Sequence, residues 1–73
     1  MPLIQVKGIE GTLTRVQKER LLESLTNAAV SVVGENLRSV VWVLIDEVAS
    51  GDWSIGGKPL TTQDVKALAG AKS

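Results

Sequence analysis

Few residues in this chain are able to do chemistry, and their types exclude most mechanisms. The 73 residues include no histidine and no cysteine, which removes imidazole acid–base catalysis, thiol nucleophiles, disulfides and Cys/His metal sites together. Asp46 and Glu47 are adjacent, so on a strand they point to opposite faces and make a poor carboxylate pair. A solvated strand end is the better account of them. Ser31 and Ser54 have no base in view and read as ordinary helix and turn residues. Gly56-Gly57 is too little for a nucleotide loop.

What remains is the chain's own amine. An initiator methionine is ordinarily trimmed when proline follows, so Met1-Pro2 is expected to yield a free secondary amine on Pro2. Held in an apolar pocket, such an amine is driven toward its neutral, basic form and moves protons near neutral pH. A proline in second place is more often a convenience than a catalyst, so its weight depends on the elements around it.

Leu3 to Ile9 is short and apolar with alternation about Ile4, Val6 and Lys7, which predicts a strand ending near Gly8 or Gly11. Thr14 and Gln17 have the spacing of a capping box, so a helix should begin there. Leu21, Leu22, Leu25, Ala28, Ala29, Val32 and Val33 recur at three- and four-residue intervals against Lys18, Glu19, Glu23 and Asn27, and Gly34 supplies a stop. Val40 to Ile45 is a continuous apolar run, the composition of a strand covered on both faces. Ala49 to Pro59 is turn-rich and predicts a loop and hairpin. Thr61 to Asp64 is expected to cap a short helix through Leu68, with Ala69 to Ser73 frayed.

Strand, helix and strand make one right-handed βαβ unit with open edges and one uncovered sheet face. A single domain over residues 1–73 is near the lower limit for burying enough surface alone. The composition is 44% hydrophobic, without disulfides or a Cys/His metal site, so self-association is the remaining route to stability. Eight basic residues balance eight acidic ones, which gives no sign of nucleic acid or an anionic membrane as partner. No apolar run is long enough to span a bilayer or to serve as a secretion signal, so a cytoplasmic location is expected.

The ordered motifs resemble those of the 4-oxalocrotonate tautomerase family over nearly the whole chain. The family opens with a catalytic proline and an apolar strand closing in Glu-Gly, matched here by Pro2-Leu3-Ile4-Gln5-Val6 and Glu10-Gly11. A helix follows whose Gln-Lys pair is matched by Gln17-Lys18. The second signature is an apolar strand, an acidic residue, a glycine, an aromatic and Ile-Gly-Gly; Ile45, Glu47, Gly51, Trp53 and Ile55-Gly56-Gly57 meet it in order. The resemblance implies an α/β (α+β) fold, a small β-α-β tautomerase subunit with a C-terminal hairpin and short helix, assembling into dimers and hexamers through paired sheets.

Carried over residue by residue, the resemblance makes Pro2 the general base and Trp53 the aromatic wall of an apolar pocket. Relatives acting on dicarboxylates use two arginines, one directly after the Glu-Gly and one inside the second strand, where this chain has Thr12 and Trp42. Each exchange removes a bidentate carboxylate donor and argues against the usual dienol diacid. Arg38, Arg15, Lys7 and Lys58 are near enough in sequence for one to replace the lost cation, although surface charge is the simpler account of each alone. A paralogous partner chain is the other source of arginines. Ile55 stands where the dehalogenase branch carries the acid that activates water, which disfavours hydration.

The expected site is therefore Pro2 as base, with Trp53, Trp42, Thr12 and Arg38 toward the substrate and no metal. The expected activity is enol–keto proton transfer on a small 2-oxo acid, 2-hydroxydienoate or arylated enol acid, without a cofactor. A homo-oligomer is expected, a hexamer by preference. Two alternatives stand beside it: a low-activity subunit of a hetero-oligomer whose partner chain supplies the arginines, and a binding module for a small apolar ligand.

Overall fold

A computed structural model describes residues 2–70. Along the chain lie β1 (Leu3–Ile9), α1 (Arg15–Val33), a 3-10 turn (Glu35–Val40), β2 (Trp42–Val48), β3 (Trp53–Ile55), β4 (Lys58–Leu60) and α2 (Thr62–Gly70). β1 and β2 pair in parallel, from Leu3 opposite Trp42 to Ile9 opposite Val48. α1 is the crossover between them. β3 and β4 form a separate antiparallel hairpin. Gly56 and Gly57 both have positive φ, 60° and 83°, and connect Ile55 to Lys58 by a two-residue turn whose twist matches that of the strands.

Local chemistry sets the element ends. The Gln17 N–H donates to Thr14 Oγ1 at 3.1 Å and the Thr14 N–H donates to Gln17 Oε1 at 2.9 Å, the reciprocal cap expected at the start of α1. Gly34, at φ 105°, closes the helix and donates its N–H to the Val30 carbonyl. Asp64 and Thr61 cap α2 in the same reciprocal manner, at 3.0 and 3.1 Å. That helix continues past Leu68 to Gly70, so Ala69 is helical rather than frayed. Ala71–Ser73 and the expected removal of Met1 lie outside the described residues.

Two sequence expectations shift. Val40 and Val41 do not join the second strand, which begins at Trp42 and runs on to Val48. The first ladder bond is from the Trp42 N–H to the Pro2 carbonyl at 3.0 Å. Earlier residues have no part of β1 to pair with, and the Val41 N–H turns back to Arg38. The covered stripe of α1 also differs from the apolar one. It runs through Lys18, Leu21, Leu22, Leu25, Thr26, Ala29 and Val30, while Ala28 and Val33 are exposed and Val32 is 85% exposed. Nineteen helical residues span about 28 Å and seven strand residues about 23 Å, so α1 is longer than the strands it crosses, and in its last turn Val30 is buried while Val32 and Val33 face outward.

In this chain the sheet is covered on one face only. Ile4, Val6, Val43 and Ile45 are half-buried, whereas Leu3, Gln5, Trp42 and Leu44 alternate with them and stand exposed. Among the described residues only Ile9 and Val30 are buried, and neither is wholly so. The radius of gyration is 14.9 Å, against about 11 Å for a compact chain of this length. The excess comes from an arm that does not fold back: the hairpin pairs with itself and leans little on β1, β2 or α1. Such a chain completes its core by association.

Candidate active site

The sheet divides the expected site residues between its two ends. Pro2 precedes β1, and its carbonyl accepts the Trp42 N–H at 3.0 Å, so Pro2 and Trp42 share the end where both strands begin. Trp42 is 55% exposed, on the open face with its register partner Leu3. Arg38 lies just before β2 at this end, its backbone carbonyl accepting from the Val41 N–H. Its side chain is already engaged. Arg38 Nε donates to Glu35 Oε1 at 3.0 Å and Nη1 donates to Asn27 Oδ1 at 2.9 Å. Leu37 and Val33, in the segment that leads into β2, are exposed as well.

Thr12 and Trp53 occupy the opposite end. The Thr12 hydroxyl donates to the Ile9 carbonyl at 2.8 Å, which commits it to the turn that closes β1. Trp53 pairs with Leu60 at the root of the hairpin, and that root is tied to Glu10: the Ser50 N–H reaches Glu10 Oε1 at 3.4 Å and the Thr62 hydroxyl donates to the Glu10 carbonyl at 2.6 Å. Seven strand residues place these groups about 20 Å from Pro2. The structure thus joins Pro2 with Trp42 and Arg38, and Thr12 with Trp53, and keeps the two sets apart within one chain.

Two polar pairs that the sequence leaves unassigned help build the second end. Lys18 Nζ donates to Glu47 Oε1 at 2.6 Å. That bond, with the Lys18 charge, the Gly11 N–H and the charge of Arg15, holds the Glu47 carboxyl below its ordinary value against the opposing effect of partial desolvation. Asp46 faces the other way and pairs with Lys7 at 3.5 Å, as the opposite-face argument requires, but neither acid is simply solvated. The Thr61 backbone N–H and hydroxyl likewise hold Asp64 low. Thr62 falls in the capping segment expected from the sequence, but its bond to Glu10 does not follow from that segment. Its only local signal is its place beside the helix cap at Thr61.

The two hollows described in the surface are lined by none of the expected site residues. A depression of about 300 Å³ is lined by Leu13, Gln17, Arg20, Leu21 and Ser24, and another of about 250 Å³ lies between the hairpin and α2 at Ile55, Lys58, Pro59, Leu60 and Asp64. Neither includes Pro2. No helix among the described residues is long and apolar enough to cross a membrane.

The chain matches the family model described as tautomerase enzyme over residues 2–63, from Pro2 through the start of α2. A probable tautomerase of Ralstonia nicotianae is 48% identical over 59 residues, which cover 81% of each protein. A probable tautomerase of Dickeya dadantii is 33% identical over 67 residues, covering 92% of this chain and 98% of the relative. Among solved structures, TomN, a 4-oxalocrotonate tautomerase homologue in the tomaymycin biosynthetic pathway, superposes with a TM-score of 0.72 at 30% identity, covering 90% of this chain and 95% of its own.

Proposed function

The chain belongs to the tautomerase family and is an isomerase of the 4-oxalocrotonate tautomerase type, and we propose that the amine of Pro2, freed by removal of Met1, is its general base. Neutral Pro2 takes a proton from the hydroxyl of an enol or from an activated carbon, and the resulting ammonium returns a proton to another carbon of the same molecule. Atoms balance within the substrate, so no cofactor is required. The observation that carries this reading is the position of Pro2 at the tip of β1, bonded through its carbonyl to Trp42 and next to the exposed Leu3–Trp42 pair, in a chain whose family match begins at that residue.

On this reading the working unit is an oligomer. A twofold axis perpendicular to the sheet pairs two copies edge to edge, keeps both helices on one face and runs the strands antiparallel. It therefore sets the Pro2 end of one copy beside the Trp53 end of the other. Trp53 then walls the neighbour's pocket, Trp42 adds a second apolar surface, and association of such dimers into a homohexamer covers the open face. The soluble assembly works in the cytoplasm.

The substrate is a monoacid or arylated enol rather than a dienol diacid. Thr12 gives its hydroxyl to Ile9, Trp42 carries no charge, Lys7 faces Asp46 and Arg38 faces Glu35. Lys7 and Arg38 thus bring no free charge to a second carboxylate, which leaves Arg15 and Lys58, in no ion pair among the described residues, as the cations that could still meet it. A partner chain bearing arginines is the alternative that would admit the diacid.

Retention of Met1 tests the base directly. Met1 turns the Pro2 nitrogen into an amide with no usable lone pair, so the Met1-bearing form, verified by intact mass, should lose tautomerase activity. The processed form should show kcat/KM rising with pH as Pro2 loses its proton. Equal turnover by the two forms would remove Pro2 from the mechanism.

A further inference from the structure

The hairpin that bears Trp53 packs on little besides itself, yet a wall for a neighbour's pocket has to arrive in a fixed place. Its root supplies the constraint. The Thr62 hydroxyl donates to the Glu10 carbonyl at 2.6 Å, the Thr62 N–H donates to Ser50 Oγ at 2.9 Å, and the Ser50 N–H reaches back to Glu10 Oε1 at 3.4 Å. The Thr62 methyl lies 3.2 Å from where a Cβ on Gly11 would stand, so it packs against bare backbone that a larger residue would push away. One residue thereby stitches the end of β1, the exit from β2 and the start of α2. Residues 51–61 leave and return through that stitch, closed again by the Gly51 N–H to the Leu60 carbonyl at 3.2 Å.

We propose that Thr62 is a positioning residue for the shared site, setting the angle at which the β3–β4 arm leaves the sheet and so where Trp53 meets the Pro2 of a second copy. The inference rests on the role given to Trp53 above. Its physical basis is leverage. Trp53 pairs with Leu60, two residues before Thr62, and with little packing along the arm a small rotation at the root becomes a displacement of the ring. Displacements near 1 Å in groups that position a substrate cost up to about a hundredfold in rate. Thr62 itself touches no substrate, so the chemistry of Pro2 is left alone.

The test compares Thr62→Val, which keeps the shape and loses the hydroxyl, with Thr62→Ser, which keeps the hydroxyl. Each is made in the Met1-processed protein, with oligomer mass checked by light scattering. Thr62→Val should raise KM about tenfold with a smaller change in kcat, leave the pH at which activity rises unchanged, and keep the oligomer intact. Thr62→Ser should recover KM to within about twofold, since it retains the bond to Glu10. In a Trp42→Phe background, Trp53 fluorescence should become more open to acrylamide in the Val variant and return in the Ser variant. Fluorescence reads the arm without turnover, so absence of Pro2 catalysis and failure of the positioning role are told apart. Unchanged KM and quenching in Thr62→Val, or a Ser variant as impaired as the Val one, overturns the proposal. If Thr62→Val dissociates the oligomer, Ser50→Ala, which removes the acceptor of the Thr62 N–H, carries the same readouts with the same expected directions.

Discussion

At the end of the sheet where β1 and β2 begin, next to Pro2, Leu3 and Trp42 stand exposed, as do Leu37 before β2 and Val32 and Val33 at the end of α1. At the end where the strands finish, Ile9 is buried and polar groups are consumed in short bonds among Glu10, Thr12, Lys18, Glu47, Ser50 and Thr62. The first end keeps its apolar surface for another molecule, at roughly 25 cal/mol for each square ångström covered. The second spends its hydrogen bonds internally and gains geometry. On the function proposed above, the amine that must lose its solvent is at the first end and the wall delivered to a neighbour is at the second.

The sharpest way to break this comparison is complementation. Met1-retaining chains have a blocked Pro2 end, and Trp53→Ala chains have a defective Trp53 end. Each alone should be nearly inactive or weak. Unfolded and refolded together, they form mixed pairs in which one of the two sites is intact, so activity should rise well above the sum of the separate samples. No recovery would mean that both ends of a working site come from one chain.

Next in size is the substrate switch at the Pro2 end. Trp42 is exposed, so Trp42→Arg should fold. A charge-assisted carboxylate contact is worth about 1.5 to 3 kcal/mol, so the ratio of diacid to arylated-monoacid kcat/KM should rise about tenfold to a hundredfold. An unaltered ratio would take Trp42 out of the pocket.

Dilution gives a third measure, because an end that depends on a partner loses it by mass action. Activity per chain should fall as concentration drops below the dissociation constant of the oligomer, in step with the mass seen by light scattering. A stable, fully active monomer at micromolar concentration would end the shared-site account.

The smallest effect is expected at the polar end. Because the folded state holds Glu47 below its ordinary value of 4.5, its contribution is present above that pH and is lost as pH falls through the depressed folded-state value. Glu47→Gln should be slightly less stable than the parent at neutral pH, and the two unfolding curves should converge in acid. Curves that stay parallel down to low pH would mean that the Lys18 pair adds nothing.

What the sequence made legible was local. Thr14 and Gln17 are three residues apart, and a cap at that spacing needs no knowledge of the rest of the molecule. The Gly56-Gly57 turn is legible for the same reason. Lys18 was placed on the solvent side because charge on an amphipathic helix usually is, yet its partner Glu47 is 29 residues away. Thr62 and Glu10 are 52 apart, and no period or motif links them. The α1 stripe failed at Val32 and Val33 because helical spacing says which residues share a face and not where the sheet beneath them stops.

Composition and short-range pattern by themselves determined the βαβ order, the caps, the hairpin, the lack of histidine and cysteine chemistry, and the place of Pro2 at the start of the first strand. Those properties depend on covalent identity or on residues within one turn of one another. Only the tertiary structure decided that Pro2 and Trp53 lie at opposite ends of a parallel sheet, that Arg38 is already matched by Glu35 and Asn27, and that Thr62 joins three segments. Each of these depends on which way a strand runs and where it stops, and that is settled when hydrogen-bonded partners from distant parts of the chain close on one another.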